Sequence, residues 1–218
     1  MNYSVTVSDS VLRSMTMAAL EAYILGDGRR GKTRLETSGL LWGYVRQRED
    51  ATHIHVEQTS ILLSSKRHQG WVDFNPVATK LKNSVMAEWA PHLSLLGDFH
   101  THPYESRQDH VFNQGAKFSD TDIESVLNDD YLWEESNNLP LQMIMSVAEV
   151  ERVRNSEPRR NSRNVIRFNF KQYRIWLTAG VGEIRKGERI FLGNGTRKVF
   201  LSVDRFPLSP PERIDLTA

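Results

Sequence analysis

A chain of 218 residues that is 39% hydrophobic and 25% charged has the composition of an ordinary globular protein, long enough to bury a core without staples. Its 28 basic and 27 acidic side chains leave a formal net charge of +1, which gives no global reason to expect a nucleic acid or an acidic membrane as partner. The absence of cysteine excludes disulfides, thiolate zinc sites, cysteine nucleophiles and iron–sulfur clusters together, so any metal must sit on His, Asp or Glu.

In chain order, residues 3–7 alternate as a short strand. Ser8, Asp9 and Ser10 offer N-caps for a helix to about residue 25, with Val11, Leu12, Met15, Ala18, Ala19 and Leu20 at helical spacing. A glycine-rich polar loop over 26–31 ends it. Strands are expected over 40–47 and 52–63, joined by a hairpin turn at 48–50. Residues 66–70 are polar and read as mobile, and Asn75-Pro76 opens a second helix to about residue 90. Residues 93–100 form an apolar strand that ends in His100-Thr101-His102-Pro103, where Pro103 is expected to stop the pairing. After a long loop, Ser119-Asp120-Thr121-Asp122 reads as an N-cap and acidic first turn of a helix to about residue 128.

Residues 141–147 are a further apolar strand. The run 152–163 holds five arginines and no periodicity, and reads as a solvated loop, with contact to an acidic partner as the alternative. Strand-like alternation returns over 165–177 and 189–203, and residues 207–218, with three prolines, form a frayed tail. The expected class is mixed α/β: one domain over 1–206 with a strand-rich C-terminal part. No apolar run approaches the ~20 residues that span a bilayer, and residues 1–12 hold no basic leader before an apolar core. A cytoplasmic protein is the expectation.

Three constellations compete for the chemistry. Residues 26–33 spell G-x-x-x-x-G-K-[ST], and Asp98 at the end of an apolar strand would suit a magnesium partner. A phosphate loop needs a strand before it and a helix after it, and here the order is inverted, so nucleotide binding is the weaker alternative. His53-Ile54-His55 puts two imidazoles on one strand face, but their alternation with apolar residues marks a half-buried strand, and no acid follows. His100 and His102 differ because an apolar strand delivers both to its end. A helix starting at Ser119 puts Asp122 in its first turn, from which it can fold back toward them. Two His and one carboxylate leave a fourth tetrahedral position for water, as in an open catalytic zinc site, where that water's pKa falls toward ~7.

These residues resemble the JAMM metalloproteases, the catalytic members of the JAB/MPN-domain family, whose motif is a glutamate followed by H-[ST]-H-P and S-x-x-D. Glu36, in Glu36-Thr37-Ser38-Gly39-Leu40-Leu41-Trp42-Gly43, looks like the family's E-x-x-G-x-L-x-G strand start. His100 and His102 match the histidines, and Ser119 and Asp122 the last element. The likeness covers roughly residues 1–150 and implies a cytidine-deaminase-like JAB/MPN fold. One departure is the sixteen residues between His102 and Ser119, more than the family usually has. A rival S-x-x-D, Ser106-Arg107-Gln108-Asp109, has only three residues between it and His102. So short a link scarcely lets the chain reverse into a helix, and Gly115 soon follows, so Asp122 is preferred to Asp109. Residues 104–118 then form an insertion beside the site, with His110 solvated.

The resemblance implies a Zn²⁺ hydrolase of isopeptide bonds, with His100, His102 and Asp122 as ligands, Glu36 as proton acceptor and Ser119 as oxyanion donor. It implies a ubiquitin-like protein or its conjugate as substrate, with residues 66–75 and 104–118 as candidates for holding the substrate's extended tail. Stand-alone members of this size look like prokaryotic ones, which accompany activating and conjugating enzymes, several of them in antiphage defence. A metal-free MPN-type binding scaffold is the non-enzymatic alternative.

Overall fold

The computed structural model describes residues 2–27, 33–70, 72–73 and 75–204. The N-terminal half contains β1 (Tyr3–Val7), α1 (Asp9–Ile24), β2 (Ser38–Gln47), β3 (Thr52–Ile61), β4 (Lys66–Arg67), β5 (Val72–Asp73), α2 (Pro76–Trp89) and β6 (Ser94–Tyr104). There follow α3 (Arg107–Phe112), α4 (Asp120–Asn128), α5 (Asp130–Glu135), β7 (Leu141–Glu149), β8 (Ser156–Ser162), β9 (Val165–Phe170), β10 (Tyr173–Arg185), β11 (Glu188–Leu192) and β12 (Val199–Val203). Local signals start the helices: the Ser8 side chain accepts from Val11 N–H to cap α1, and Asn75 accepts from Val77 and Ala78 N–H ahead of Pro76 in α2. Among the described residues no helix is long and apolar enough to cross a membrane.

Ten strands form one mixed sheet in the order β12-β1-β3-β2-β6-β7-β10-β9-β8, with β11 paired to β10. β1 runs parallel to both of its neighbours and β6 parallel to β7, while the remaining pairs are antiparallel. The sheet curls until its ends nearly meet. Leu201 N–H on β12 donates to Arg163 O beside β9 at 2.8 Å, and Tyr3 on β1 donates its hydroxyl proton to the Glu183 carboxylate on β10. One face packs α1, through Val11, Leu12, Met15 and Ala19, against Leu41, Phe99, Met143, Leu177 and their neighbours. The opposite face carries Leu40, Trp42 and Leu95, covered by Ala78 and Met86 of α2, Val126 of α4 and Leu132 of α5. The metal-ligand candidates lie on that second face.

Several boundaries differ from the sequence expectation. β6 continues through Pro103 to Tyr104 and stays paired with β7. Thr101 N–H points to the β2 side, where it donates to Thr37 O, so the missing donor of Pro103, two residues on, falls where β2 has already ended. The arginine-rich run is not a loop but contains β8, an edge strand whose pairing is irregular at two points; charge is common on such edges and hides the alternation. The two long C-terminal alternations each split, at Lys171 (φ 52) and at Gly195 (φ 62). Residues 66–70 belong to the β4–β5 ribbon, and α3 and α5 are additional helices. The expected tail at 207–218 and most of the glycine-rich loop, 28–32, lie outside the described residues.

Gly97 of β6 pairs directly with Leu141 of β7. A Cβ there would lie 1.7 Å from Leu141 O, a backbone atom that cannot swing aside. Gly97→Ala is expected to cost at least about 2 kcal/mol through forced strand separation, read as a lower urea midpoint. An unchanged midpoint would show that β6 and β7 are not held this tightly.

Candidate metal centre

Side chains alternate across a strand, so Asp98, His100 and His102 on β6 point to one face, toward the start of α4. That start is a reciprocal capping box. Ser119 Oγ accepts from Asp122 N–H at 3.1 Å, and Asp122 Oδ2 accepts from Ser119 N–H at 2.7 Å. The box holds the Asp122 carboxylate over the strand end. Its Oδ1 lies 3.1 Å from His100 Nε2 and its Oδ2 3.6 Å from His102 Nε2, while the two Nε2 atoms are 3.0 Å apart. Three ligand atoms around a tetrahedral ion with ~2.05 Å bonds sit about 3.3 Å from one another, so this donor set fits a zinc-sized cation.

Electrostatics prepare the same site. Burial opposes the charge on Asp122, but both imidazoles and the Ser119 N–H outweigh it and hold the carboxyl well below the usual range. Burial and repulsion from His100 push the His102 imidazole down to about 4, leaving its ring neutral. His100, 4% exposed, goes the other way: burial disfavours its charge, but the Asp122, Glu36 and Asp98 carboxylates raise its affinity for a proton. A dication competes with that proton for the same lone pair.

Glu36 precedes β2 and is 6% exposed. The Thr of the His-Thr-His triplet holds it there, because Thr101 Oγ1 accepts from Thr37 N–H at 2.9 Å and Thr101 N–H donates to Thr37 O at 2.9 Å. Glu36 N–H donates to His68 O at 2.7 Å, tying the same point to the segment between β4 and β5. Burial pushes the Glu36 carboxyl up to about 7; His100 opposes the shift and Asp122 adds to it. Glu36 lines the cavity but stands outside the His100–His102–Asp122 ligand group. A carboxylate in that position can exchange a proton near neutral pH without coordinating the ion.

The cavity has a volume of about 480 Å³. Gln69 and Gly70 form one rim and Tyr104 and Asn113 another. Sequence reasoning missed Asn113, Ser125 and Gln142 in the wall, and considered Asp98 only as a magnesium partner. Asp98 is buried beside His100, and burial pushes its carboxyl up to about 7 against the opposing pull of that imidazole. Its two-residue spacing from His100 was the available signal.

Asp109 stands elsewhere. Contrary to expectation Ser106 does start a helix, α3, and the Asp109 carboxylate is occupied by Glu105 N–H at 3.0 Å and Asn113 Nδ2 at 2.6 Å. His110 is not solvated: it is 5% exposed and stacked on Trp176 with ring centroids 3.6 Å apart. His53 and His55 stay on β3, where Tyr44 stacks on His55 at 4.8 Å, and they join no metal-ligand group among the described residues. Helix α1 precedes the glycine-rich loop and strand β2 follows it, the inverted order noted above. No protein-family model matches the chain, and no curated protein matches it.

Proposed function

We propose that this chain is a zinc-dependent isopeptidase of the JAMM type that cleaves after the C-terminal tail of a ubiquitin-like protein, by deconjugation or precursor processing. The observation that carries the reading is the convergence of His100, His102 and Asp122 with a buried, non-ligating Glu36 beside them. When bound, Zn²⁺ would supply a Lewis acid for the scissile carbonyl and an acidified water. Glu36 takes the proton of the attacking water and returns it to the leaving amine nitrogen. Ser119 Oγ spends a lone pair on the Asp122 N–H, which leaves its own O–H free to donate to the oxyanion. The cap and the oxyanion contact are compatible. An extended tail suits the rim at Gln69 and Gly70, where a short ribbon edge adjoins the cavity. Activating and conjugating enzymes of the same ubiquitin-like system, with a role in antiviral defence, are the proposed biological setting. The complete ligand set argues against a metal-free scaffold.

Metal analysis of the purified protein, with cleavage of a ubiquitin-like fusion, tests this reading. About one zinc per chain is expected, with cleavage lost to a chelator and restored by zinc; iron in its place, or cleavage by stripped protein, would overturn it.

A pH profile follows from Glu36. The base acts only when ionised, so kcat/KM should fall about tenfold per unit as pH drops below its midpoint and level off above it. Burial sets that midpoint near the about 7 of the metal-free site, and a bound dication lowers it. A profile flat between about pH 4 and 8 would remove Glu36 from the mechanism.

A further inference from the structure

We infer that a second site, a cleft at the β8–β9–β10 end of the sheet, binds a phosphate-bearing anion; this does not rest on the hydrolase reading. Ser156 on β8 opposes Asn169 on β9, which opposes Arg174 on β10, and in the adjacent row Arg159 opposes Arg167 and Arg167 opposes Trp176. Residues paired in this way share a face of the sheet. Arg159, Arg167, Asn169 and Arg174, with Arg154 from the approach to β8, line a cleft of about 280 Å³ whose lining includes one acid, Glu157. Among the described residues none of these four guanidiniums forms an ion pair with a carboxylate. Burial and the surrounding Arg107, Arg167 and Arg154 charges make Arg174 easier to deprotonate than a free arginine, the mark of uncompensated positive charge.

Asn169 supplies the second observation. It is 4% exposed, and its Oδ1 accepts from Arg174 Nε at 3.2 Å, which orients the amide. Its Nδ2 is buried with no hydrogen-bond partner. A buried donor of this kind calls for an acceptor, and a ligand oxygen entering the cleft would provide one. Four guanidiniums against one carboxylate leave a local excess of three positive charges. A phosphate group brings nearly two negative charges and three acceptor oxygens and matches the guanidinium fork, whereas a carboxylate brings one charge.

The site is distinct from the metal centre but on the same face. The pairing rows run from Arg167 through Trp176 and Ser146 to His102, and from Asn169 through Arg174 and Ala148 to Tyr104. At ~4.8 Å per strand, His102 and Arg167 lie about 14 Å apart across the sheet. His110 of α3, stacked on Trp176, sits between the two sites.

Calorimetric titration of the full chain with tripolyphosphate, in about 150 mM salt, tests the inference. Saturable binding is expected, weakened about tenfold or more by Arg154→Ala and by Arg167→Ala, both at exposed positions that leave folding intact, and unchanged by His102→Ala. Asn169→Asp should abolish binding, with a thermal melt as the folding control. A nucleoside triphosphate, a phosphoserine peptide and a short oligonucleotide titrated in parallel identify the source of the phosphate. The inference is overturned if tripolyphosphate does not bind at about 5 mM, or if both arginine variants bind it as well as the native chain. A polyglutamate peptide binding more tightly than every phosphate probe would also overturn it.

Discussion

Glu36→Gln should lower cleavage of a ubiquitin-like fusion by about 10²–10⁴-fold or more while the zinc content stays the same. The substitution keeps the shape of the side chain and removes only its ability to hold a proton. Glu36 stands outside the ligand group, so the ion has no reason to leave. Its backbone anchors are also untouched, since they run from Glu36 N–H to His68 and from Thr37 to Thr101. Stability should move the other way from activity. Burial raises the carboxyl to about 7, so in the metal-free protein ionisation opposes folding, increasingly as pH rises from the unfolded value near 4.3 through the folded one. Above pH 7 the neutral amide avoids that cost, and metal-free Glu36→Gln should melt at a higher temperature than the native chain. Loss of zinc would make Glu36 a ligand; retained cleavage would show that it is no base.

Asp122→Asn and Asp109→Asn should separate cleanly. The first removes an anionic ligand and should weaken zinc binding by more than the ~10–100-fold typical of outer-sphere changes, with cleavage lost in parallel. The fold should survive, because an Asn oxygen at 122 can still accept from Ser119 N–H and keep the cap. The second variant should keep its zinc and its activity, because the Asp109 carboxylate is directed to Glu105 N–H and Asn113. Its expected effect is about 1 kcal/mol of stability from a weakened α3 start. Zinc measured after dialysis and a thermal melt on each variant decide the matter. If Asp109→Asn strips the metal, the carboxylate assignment fails.

Much of the fold was legible because its signals are local. Ser8, Asn75 and Ser119 start helices by accepting backbone N–H groups a few residues away, alternation marks β1 and β3, and an apolar run marks β7. β8 was not legible, because an edge strand made of Ser, Glu, Pro, Arg and Asn shows no apolar period. The short link before α3 argues against a helix there in the sequence; the helix starts all the same because the Ser106 and Asp109 side chains both satisfy backbone donors at its first turn. The burial of His110 is hidden from the sequence for a different reason. Nothing beside it in the sequence announces Trp176, which lies 66 positions further on.

By itself the sequence determined the order and kind of most elements, the two imidazoles at a strand end, and the capped aspartate and upstream glutamate that could join them. Those features depend on neighbours within a turn or two of chain. Only the tertiary structure decided that Asp122 and not Asp109 meets the imidazoles, that Thr101 clamps Thr37 to hold Glu36 in the cavity wall, and that arginines from three strands and a connecting segment share one cleft with Asn169. Each of these is set by strand register and helix placement between distant segments, and a shift of one residue in register turns a side chain to the opposite face of the sheet.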